Sequence, residues 1–204
     1  MIVVDVETTG LDENRNSIVS IGAVEFENPS NQFYRECKMW GGATFSDQAL
    51  NINGFTQARI MDISKPLEGM IVEEYIDWGL ECNEITLAGE NPSFDMKFLM
   101  AAMNRHNKLT GKNSIKWPFG YRSIDVHTLC WRDHLQRGMI PPTQNKRTNI
   151  SLDSALVYVG MPPEPMPHNA LTGAKLEAEV ISRMLHGKSL FQEYAHFELP
   201  AYLK

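Results

Sequence analysis

The first seven residues restrict the fold of this chain more than any other segment. Met1–Glu7 (MIVVDVE) is a short, β-branched apolar run of the kind that forms a central, buried strand. Asp5 and Glu7 lie two positions apart, so their side chains leave the same face of that strand. Two buried carboxylates on one face are unfavourable unless something neutralises them. Two interpretations follow: a divalent cation binds both acids, or the strand ends in solvent and the acids are simply hydrated.

Strand and helix patterns alternate along the rest of the chain. Ser17–Phe26 and Phe33–Trp40 have strand composition and follow the first strand closely enough to form an antiparallel meander. Without an internal repeat or a separating linker, residues 1–204 are predicted to form one α/β domain, a mixed sheet flanked by helices. The remaining predicted elements are helical pieces within Ser46–Ile60, helices over Leu67–Glu81, Ser93–Lys108, Ser151–Val159 and Ala170–Leu185, a helix capped by Asp125, a strand at Glu84–Ala88, and a mobile polar loop at Pro141–Asn149.

Composition narrows the class of protein without naming a partner. The apolar runs are too short to span a bilayer, and no basic region followed by an apolar stretch opens the chain, so we expect a cytoplasmic protein without a membrane partner. Cys37, Cys82 and Cys130 have no metal-binding spacing and are interpreted as free thiols. The net charge of −6 does not favour broad duplex binding through phosphate neutralisation. It is compatible with an enzyme that holds a few nucleotides through bound cations.

Two more residues stand at positions where chemistry is common. Asp95 follows the strand predicted at Glu84–Ala88 and opens a helix, which places it at the sheet edge where α/β active sites gather. An acid in a first helical turn also interacts favourably with the helix dipole, and for Asp95 alone that is the favoured interpretation. His168 stands just before the helix at Ala170–Leu185. A lone histidine is usually an ordinary surface residue, but an imidazole is also the usual general base near neutral pH.

Three segments together resemble one family. VVDVETTGL at Val3–Leu11, NPSFD at Asn91–Asp95 and HNALTGA at His168–Ala174 are similar, in order and separation, to the three motifs of DEDDh 3′–5′ exonucleases. That family includes the proofreading subunits of replicative DNA polymerases, ribonuclease T and oligoribonuclease. The resemblance covers nearly the whole chain, and the DVETTGL segment is its most specific part.

The resemblance implies a ribonuclease H-like fold with a roughly five-stranded mixed sheet and helices on both faces. By this analogy Asp5 and Glu7 hold two divalent cations, Mg²⁺ or Mn²⁺, and Asp95 supports the second. His168 deprotonates the water that attacks the terminal phosphodiester, which is the usual scheme of two-metal phosphate chemistry. The implied reaction is 3′–5′ hydrolysis of single-stranded DNA or RNA to nucleoside 5′-monophosphates.

Contacts with the 3′-terminal nucleotide are expected around the first two motifs, at Thr8, Thr9, Gly10, Leu11 and Asn91. The Thr-Thr-Gly segment is also explained as a turn that ends the strand, and such a turn is compatible with contacts to the nucleotide. Phe55 is a further candidate, because an aromatic ring stacks on any nucleobase, although core packing is the favoured role. Some members of the family are dimers, so a homodimer is possible here.

The sequence departs from the family at one position. The family has its fourth acid five residues after the histidine, where this chain has Gly173. A glycine there removes a charge and an oxygen ligand, and inside a helix it costs about 1 kcal/mol relative to alanine. Glu177 lies one helical turn further on, on the same face, and is a possible substitute ligand. Two functions are therefore compatible with the sequence: an exonuclease of reduced activity, or a nuclease-fold module that binds 3′ ends without cutting them.

Overall fold

The computed structural model describes residues 1–111 and 115–203. A mixed five-stranded sheet forms its centre, in the order β3-β2-β1-β4-β5. Strand β1 is antiparallel to β2 and parallel to β4. Every residue of the first two strands except Asp5 is buried, because strands in the middle of a covered sheet are buried on both faces. The strands of this sheet are β1 (Ile2–Thr8), β2 (Ile18–Glu25), β3 (Gln32–Glu36), β4 (Leu87–Gly89) and β5 (Ser123–Asp125).

Helices cover both faces of this sheet, and the alternation of side chains along β1 separates two cores. Ile2, Val4 and Val6 pack on one face with apolar residues of α3 and α4. Met1 and Val3 pack on the other face with residues of α5, α6 and α7. Asp5 and Glu7 continue this second series, so their carboxylates leave the face that α7 covers. The helices are α1 (Asp47–Asn53), α2 (Gln57–Ile60), α3 (Glu68–Leu80), α4 (Pro92–Thr110), α5 (Val126–Gln136), α6 (Leu152–Tyr158) and α7 (Ala170–His186).

The sheet confirms the predicted meander and mixed topology, with corrections at several boundaries. The third strand ends at Glu36 rather than at Trp40, and the fourth occupies Leu87–Gly89 rather than Glu84–Ala88. The fifth strand, Ser123–Asp125, was not predicted, because only one of its three residues is apolar. Asp125 does cap α5 as expected, since its side chain accepts a hydrogen bond from the His127 backbone N–H.

The segment predicted as a mobile loop, Pro141–Asn149, contains a small hairpin. Strands β6 (Thr143–Gln144) and β7 (Arg147–Thr148) pair antiparallel. Asn145 and Lys146 between them both have positive φ, the conformation that a two-residue hairpin turn requires. The three cysteines are buried free thiols, as expected. Within residues 1–111 and 115–203, no helix has both the length and the apolarity needed to cross a bilayer.

Strand β4 is short, and this leaves the second half of β1 without a neighbour on that side. β1 pairs with β4 only at Ile2 and Val3, whereas its pairing with β2 continues to Thr8. Backbone groups of β1 beyond Val3 must therefore find other partners. The Val6 N–H donates to a side chain, Asp95 Oδ1, at 3.0 Å. The end of β4 thus creates the opening into which helix side chains enter.

A glycine lets α7 approach the sheet closely. Gly22 on β2 pairs with Asp5, and a Cβ atom placed on Gly22 would overlap the backbone of Ala170 and Leu171. The backbone at the start of α7 therefore rests directly on the sheet at the level of Asp5. The same contact fixes the distance between the sheet and His168, which lies two residues before α7.

We expect Gly22→Ala to weaken both the fold and the site. A methyl group there meets backbone atoms that cannot rotate away, and overpacking of this kind typically costs about 1–3 kcal/mol. Thermal unfolding should show a lower melting temperature, and the rise in melting temperature on adding Mn²⁺ should shrink. Gly41→Ala is the matched control, because nothing lies within 4 Å of a Cβ placed there. Equal stability of the two variants would contradict the proposed close contact.

Candidate active site

The open end of β1 leads into a cavity of about 360 Å³ lined mainly by acids. Seven of its twelve lining residues are aspartate or glutamate, and His168 is the only basic side chain among them. The sequence-predicted residues Asp5, Glu7, Asp95 and His168 all line this cavity, although the chain separates them widely. The lining residues are Asp5, Glu7, Glu90, Asn91, Phe94, Asp95, Ser151, Leu152, Asp153, Glu164, His168 and Glu177.

Backbone contacts fix the first two motifs against each other. Asp95, in the first turn of α4, is 5% exposed and binds the Val6 N–H, which lies between Asp5 and Glu7 in the chain. The sequence alone favoured an interaction of Asp95 with the helix dipole. The structure adds a second role, because the Asp95 carboxylate accepts a hydrogen bond from β1 where β4 no longer pairs with it. Asn53 of α1 holds the end of the strand, because its amide donates to the Thr8 carbonyl at 3.0 Å.

His168 enters the cavity from the connector before α7. Its backbone N–H donates to the Ile52 carbonyl at 2.9 Å, which ties the connector to α1. Asn169 caps α7, since its side chain accepts hydrogen bonds from the backbone N–H groups of Leu171 and Thr172. His168 Nδ1 lies 3.5 Å from Glu164 Oε2, and the imidazole is 31% exposed.

Gly173 faces Asp5 directly. A Cβ atom placed on Gly173 would overlap Asp5 Oδ2 and lie 3.0 Å from Asp5 Cγ. Asp5 therefore occupies the space in which an acidic side chain at position 173 would begin. A carboxylate introduced there must move the Asp5 side chain, whose terminal oxygen can rotate.

Glu177 reaches the same group of acids from α7, as its spacing predicted. One of its oxygens, Oε1, accepts a hydrogen bond from the Glu90 backbone N–H at 2.9 Å, just beyond the end of β4. The other oxygen, Oε2, is buried and has no hydrogen-bond partner. Glu177 is 4% exposed, so this unpaired oxygen has no access to bulk water to compensate it.

Sequence reasoning missed three acids of the cavity: Glu90, Asp153 and Glu164. Glu90 stands directly before the second motif, where its proximity was a usable signal. Asp153 and Glu164 lie in α6 and in the proline-rich connector, which carry no recognisable motif. Asp153 Oδ1 accepts a hydrogen bond from the Glu164 backbone N–H at 2.9 Å, so these two acids are joined.

Comparison with known proteins decides the family. The sequence profile of the Rv2179c-like family, described as a 3′–5′ exoribonuclease Rv2179c-like domain, matches residues 1–185. The chain belongs to this family of 3′–5′ exoribonuclease domains. This assignment agrees with the predicted exonuclease motifs.

Individual relatives of this exoribonuclease-family domain include both RNA- and DNA-directed nucleases by name. Ribonuclease T of Haemophilus influenzae is 27% identical over 138 residues, and the chain spans just over half of that protein, 56%. The match covers 58% of the present chain. The 3′–5′ DNA exonuclease Cap18 of Escherichia coli is 26% identical over 182 residues, 88% of either chain.

Solved structures confirm the predicted ribonuclease H-like fold. The nuclease domain of 3′hExo, a DEDDh family member bound to rAMP, superposes with a TM-score of 0.65. The superposition covers 98% of this chain and 94% of the other at 18% sequence identity. The mixed five-stranded sheet with helices on both faces is thus the architecture of this exonuclease class.

Burial makes the acids of this domain difficult to ionise. Burial, followed by repulsion from Asp5, raises the pKa of Glu7 to about 8, and burial raises the pKa of Asp5 itself to about 7. Burial raises the pKa of Glu90 to about 7 and that of Glu164 to about 8. For the more deeply buried Asp95 and Glu177, burial followed by repulsion from Asp5 raises the pKa well above the usual range.

The donor set fits a hard divalent cation. The cavity offers carboxylate oxygens and one imidazole but no thiolate, the combination that suits Mg²⁺ or Mn²⁺. The unpaired, buried oxygens of Glu164 and Glu177 are the strongest sign that a positive partner belongs there. Among the described residues, no three His, Cys, Asp or Glu side chains converge closely enough to form a finished ligand set as they stand. The acids gather at one cavity, and a cation would have to draw them together.

A second cavity of about 230 Å³ adjoins the acidic one and shares Glu7 and Phe94 with it. Thr8, Gly10 and Leu11 line it, and the Leu11 side chain is largely exposed. Thr9, also predicted as a contact residue, is fully buried, and its hydroxyl donates to the Thr44 carbonyl. Asn91 lines the acidic cavity instead.

Phe55 has the packing role that the sequence favoured for it. It is 5% exposed within a small core cluster and lines neither of these two cavities. The Arg59 guanidinium lies 4.2 Å from the centre of its ring. The ring therefore packs in the core and is not presented to either cavity.

We expect the stability of the cation-free protein to fall as pH rises from 5 to 8. Because burial raises the pKa of Asp5, Glu7, Glu90 and Glu164 above the values of an unfolded chain, the folded state binds more protons over this range. The free energy of unfolding then decreases with increasing pH. Thermal unfolding in EDTA should show a melting temperature several degrees lower at pH 8 than at pH 5. For a chain of this size, each kcal/mol of lost stability lowers the melting temperature by about 2–4 °C.

Mg²⁺ or Mn²⁺ should raise the melting temperature more at pH 8 than at pH 5, because cations compete with protons for these carboxylates. Replacing the exposed Asp77 of α3 with asparagine provides the control and should leave the pH dependence unchanged. A melting temperature that rises over this pH range would show that the acids are ionised and already satisfied in the folded state.

Proposed function

We propose that this domain is a metal-dependent 3′–5′ exonuclease on single-stranded DNA or RNA, that it releases nucleoside 5′-monophosphates, and that its activity is reduced by Gly173. The observation that carries the proposal is the meeting of Asp5, Glu7, Asp95 and His168 in one acidic cavity of a domain from an exonuclease family. Relatives named as acting on RNA and on DNA support both substrate classes.

The two adjoining cavities suggest how a 3′ end is bound. The smaller cavity would take the terminal nucleoside, with Leu11 against the base and the backbone of Thr8 and Gly10 near the sugar. The acidic cavity beside it would then hold the scissile phosphate. Asn91 at its rim offers an amide for hydrogen bonding. Glu7 borders both cavities, so it lies at the boundary between nucleoside and phosphate.

A phosphate cannot enter a cavity of uncompensated carboxylates, so the proposal requires cations. Asp5, Glu7 and Asp95 would hold two Mg²⁺ or Mn²⁺ ions, with Glu177 substituting in part for the acid missing at Gly173. Bound there, the ions supply positive charge for the phosphate, an activated water and stabilisation of the leaving oxygen. His168 would accept a proton from the attacking water, and Asp95 keeps the end of β1 in place through the Val6 N–H.

We expect Gly173→Asp to cleave faster than the original chain. The variant restores a carboxylate next to Asp5, and loss of a residue that supports a metal site typically lowers activity about 10- to 100-fold. The assay follows end-labelled single-stranded DNA and RNA with Mg²⁺ or Mn²⁺ and identifies products as 5′-monophosphates. Gly173→Ala is the matched control, because it adds the same Cβ against Asp5 without the charge.

The outcomes separate the two functions. Faster cleavage by the aspartate variant but not by the alanine variant supports a site that lacks only one ligand. Binding of 3′ ends without cleavage by either variant or by the original chain supports the alternative, a nuclease-fold module that binds polynucleotides. Loss of activity in both variants would mean that the position of Asp5 beside Gly173 is itself required.

We expect Glu177→Gln to weaken Mn²⁺ binding at least about tenfold in titration calorimetry. The substitution removes the charge but keeps an oxygen to accept the Glu90 N–H, so it leaves that structural contact in place. Glu198→Gln, at an exposed acid outside the cavity, serves as the control and should not change the affinity. Unchanged affinity in the Glu177 variant would mean that Glu177 does not bind the cation and only accepts the hydrogen bond from the Glu90 backbone.

A further inference from the structure

Glu164 is the acid of the cavity whose position none of the three motifs explains. Its side chain is 6% exposed, and Oε2 lies 3.5 Å from His168 Nδ1. Its other oxygen, Oε1, is buried without a hydrogen-bond partner. The backbone of Glu164 is held at Asp153, which limits how far the carboxylate can move. A buried carboxylate therefore lies beside the imidazole that is proposed as the general base.

The two nitrogens of an imidazole lie on opposite sides of the ring. A neutral histidine carries its proton on one of them, and the hydrogen bond that this proton makes determines which. If Nδ1 carries the proton towards Glu164, Nε2 has a free lone pair. Only that form can accept a proton from a water on the far side of the ring.

We propose that Glu164 is a positioning residue that holds His168 with its proton on Nδ1, so that Nε2 serves as the general base. The inference rests on the proposed exonuclease function and adds a residue to it. Glu164 does not touch the reacting atoms and acts through His168. Its place in the connector, four residues before the histidine, keeps both groups on one short segment that contacts α1 and α6.

The environment determines when this arrangement operates. Asp5, Glu7, Asp153 and Tyr194 are the titratable groups that interact electrostatically with Glu164. Burial raises the pKa of the Glu164 carboxyl to about 8, and Asp5 adds to the effect. A cation held at Asp5 would offset that repulsion and favour the ionised carboxylate, which would accept a hydrogen bond from Nδ1–H. The pairing is therefore best measured with saturating Mg²⁺.

The test is nitrogen NMR of the ¹⁵N-labelled full chain with saturating Mg²⁺, combined with kinetics in the Gly173→Asp background. In the original chain the His168 signals should report a protonated Nδ1 and an unprotonated Nε2. Glu164→Leu removes the acceptor while keeping the volume, and it should abolish this preference and lower kcat about tenfold or more. The KM for an end-labelled oligonucleotide should stay within about twofold, because no substrate contact is lost. Glu164→Gln keeps a hydrogen-bond acceptor without the charge. Its preference for a protonated Nδ1 and its kcat should lie between those of the original chain and those of Glu164→Leu.

Two controls separate positioning from other roles. Glu90→Gln removes a different acid of the same cavity and should leave the His168 signals unchanged. In a His168→Ala background, Glu164→Leu should cause no further loss of activity, because the residue acts only through the imidazole.

Three results would overturn the proposal: an unchanged tautomer in Glu164→Leu, a loss of activity that persists without His168, or a loss of Mn²⁺ affinity that would make Glu164 a ligand. The NMR measurement does not depend on turnover. A chain that cuts nothing but keeps the tautomer would therefore reject the proposed function and the general-base role of Nε2, and it would leave only the control of the His168 tautomer by Glu164.

Discussion

The repulsion among buried carboxylates at the end of β1 is the interaction on which the rest of this site depends. Asp5, Glu7, Asp95 and Glu177 come from three different elements, and burial raises the pKa of each. A fold maintains such a cluster only if the surrounding structure fixes the backbone independently of it. Here the two apolar cores on either side of β1 do so, because Val4 and Val6 are anchored in one and Met1 and Val3 in the other. The acids are carried by a strand that is stable without their help.

The geometry of the sheet explains why the cluster forms at this point. A longer β4 would pair with β1 as far as Glu7, and its backbone would then bind the Val6 N–H in place of Asp95. Because β4 ends early, the Val6 N–H of β1 donates to a side chain of α4, and the Glu90 N–H just after β4 donates to Glu177 of α7. Gly22 then admits the start of α7 to contact distance. Strand length, one glycine and two helix positions together define the cavity.

The sequence predicted the parts of this arrangement that follow from local periodicity. The two-residue spacing of Asp5 and Glu7 placed both on one face, and the four-residue spacing placed Glu177 on the Gly173 face of α7. Glu164 was not predictable in this way, because a connector has no period, and its approach to His168 depends on how the chain folds around α1 and α6. The same limit applied to Thr9, because neither its burial nor its hydrogen bond to the distant Thr44 carbonyl can be read from its place in the motif.

Compared with an aspartate, the glycine at position 173 is expected to have opposite effects on stability and on the proposed function. One fewer carboxylate beside Asp5 means less repulsion in a cluster that already resists ionisation, so the cation-free fold gains stability near neutral pH. The same loss reduces the negative charge that attracts a cation, so the metal-bound state gains less. Active sites commonly carry destabilising groups for the sake of their chemistry, and removal of such a group shifts the balance towards stability. By this argument, we expect the chain with Gly173 to favour the folded, cation-free state more than its Gly173→Asp variant does, and we expect the proposed activity to depend more strongly on the concentration of free divalent cation.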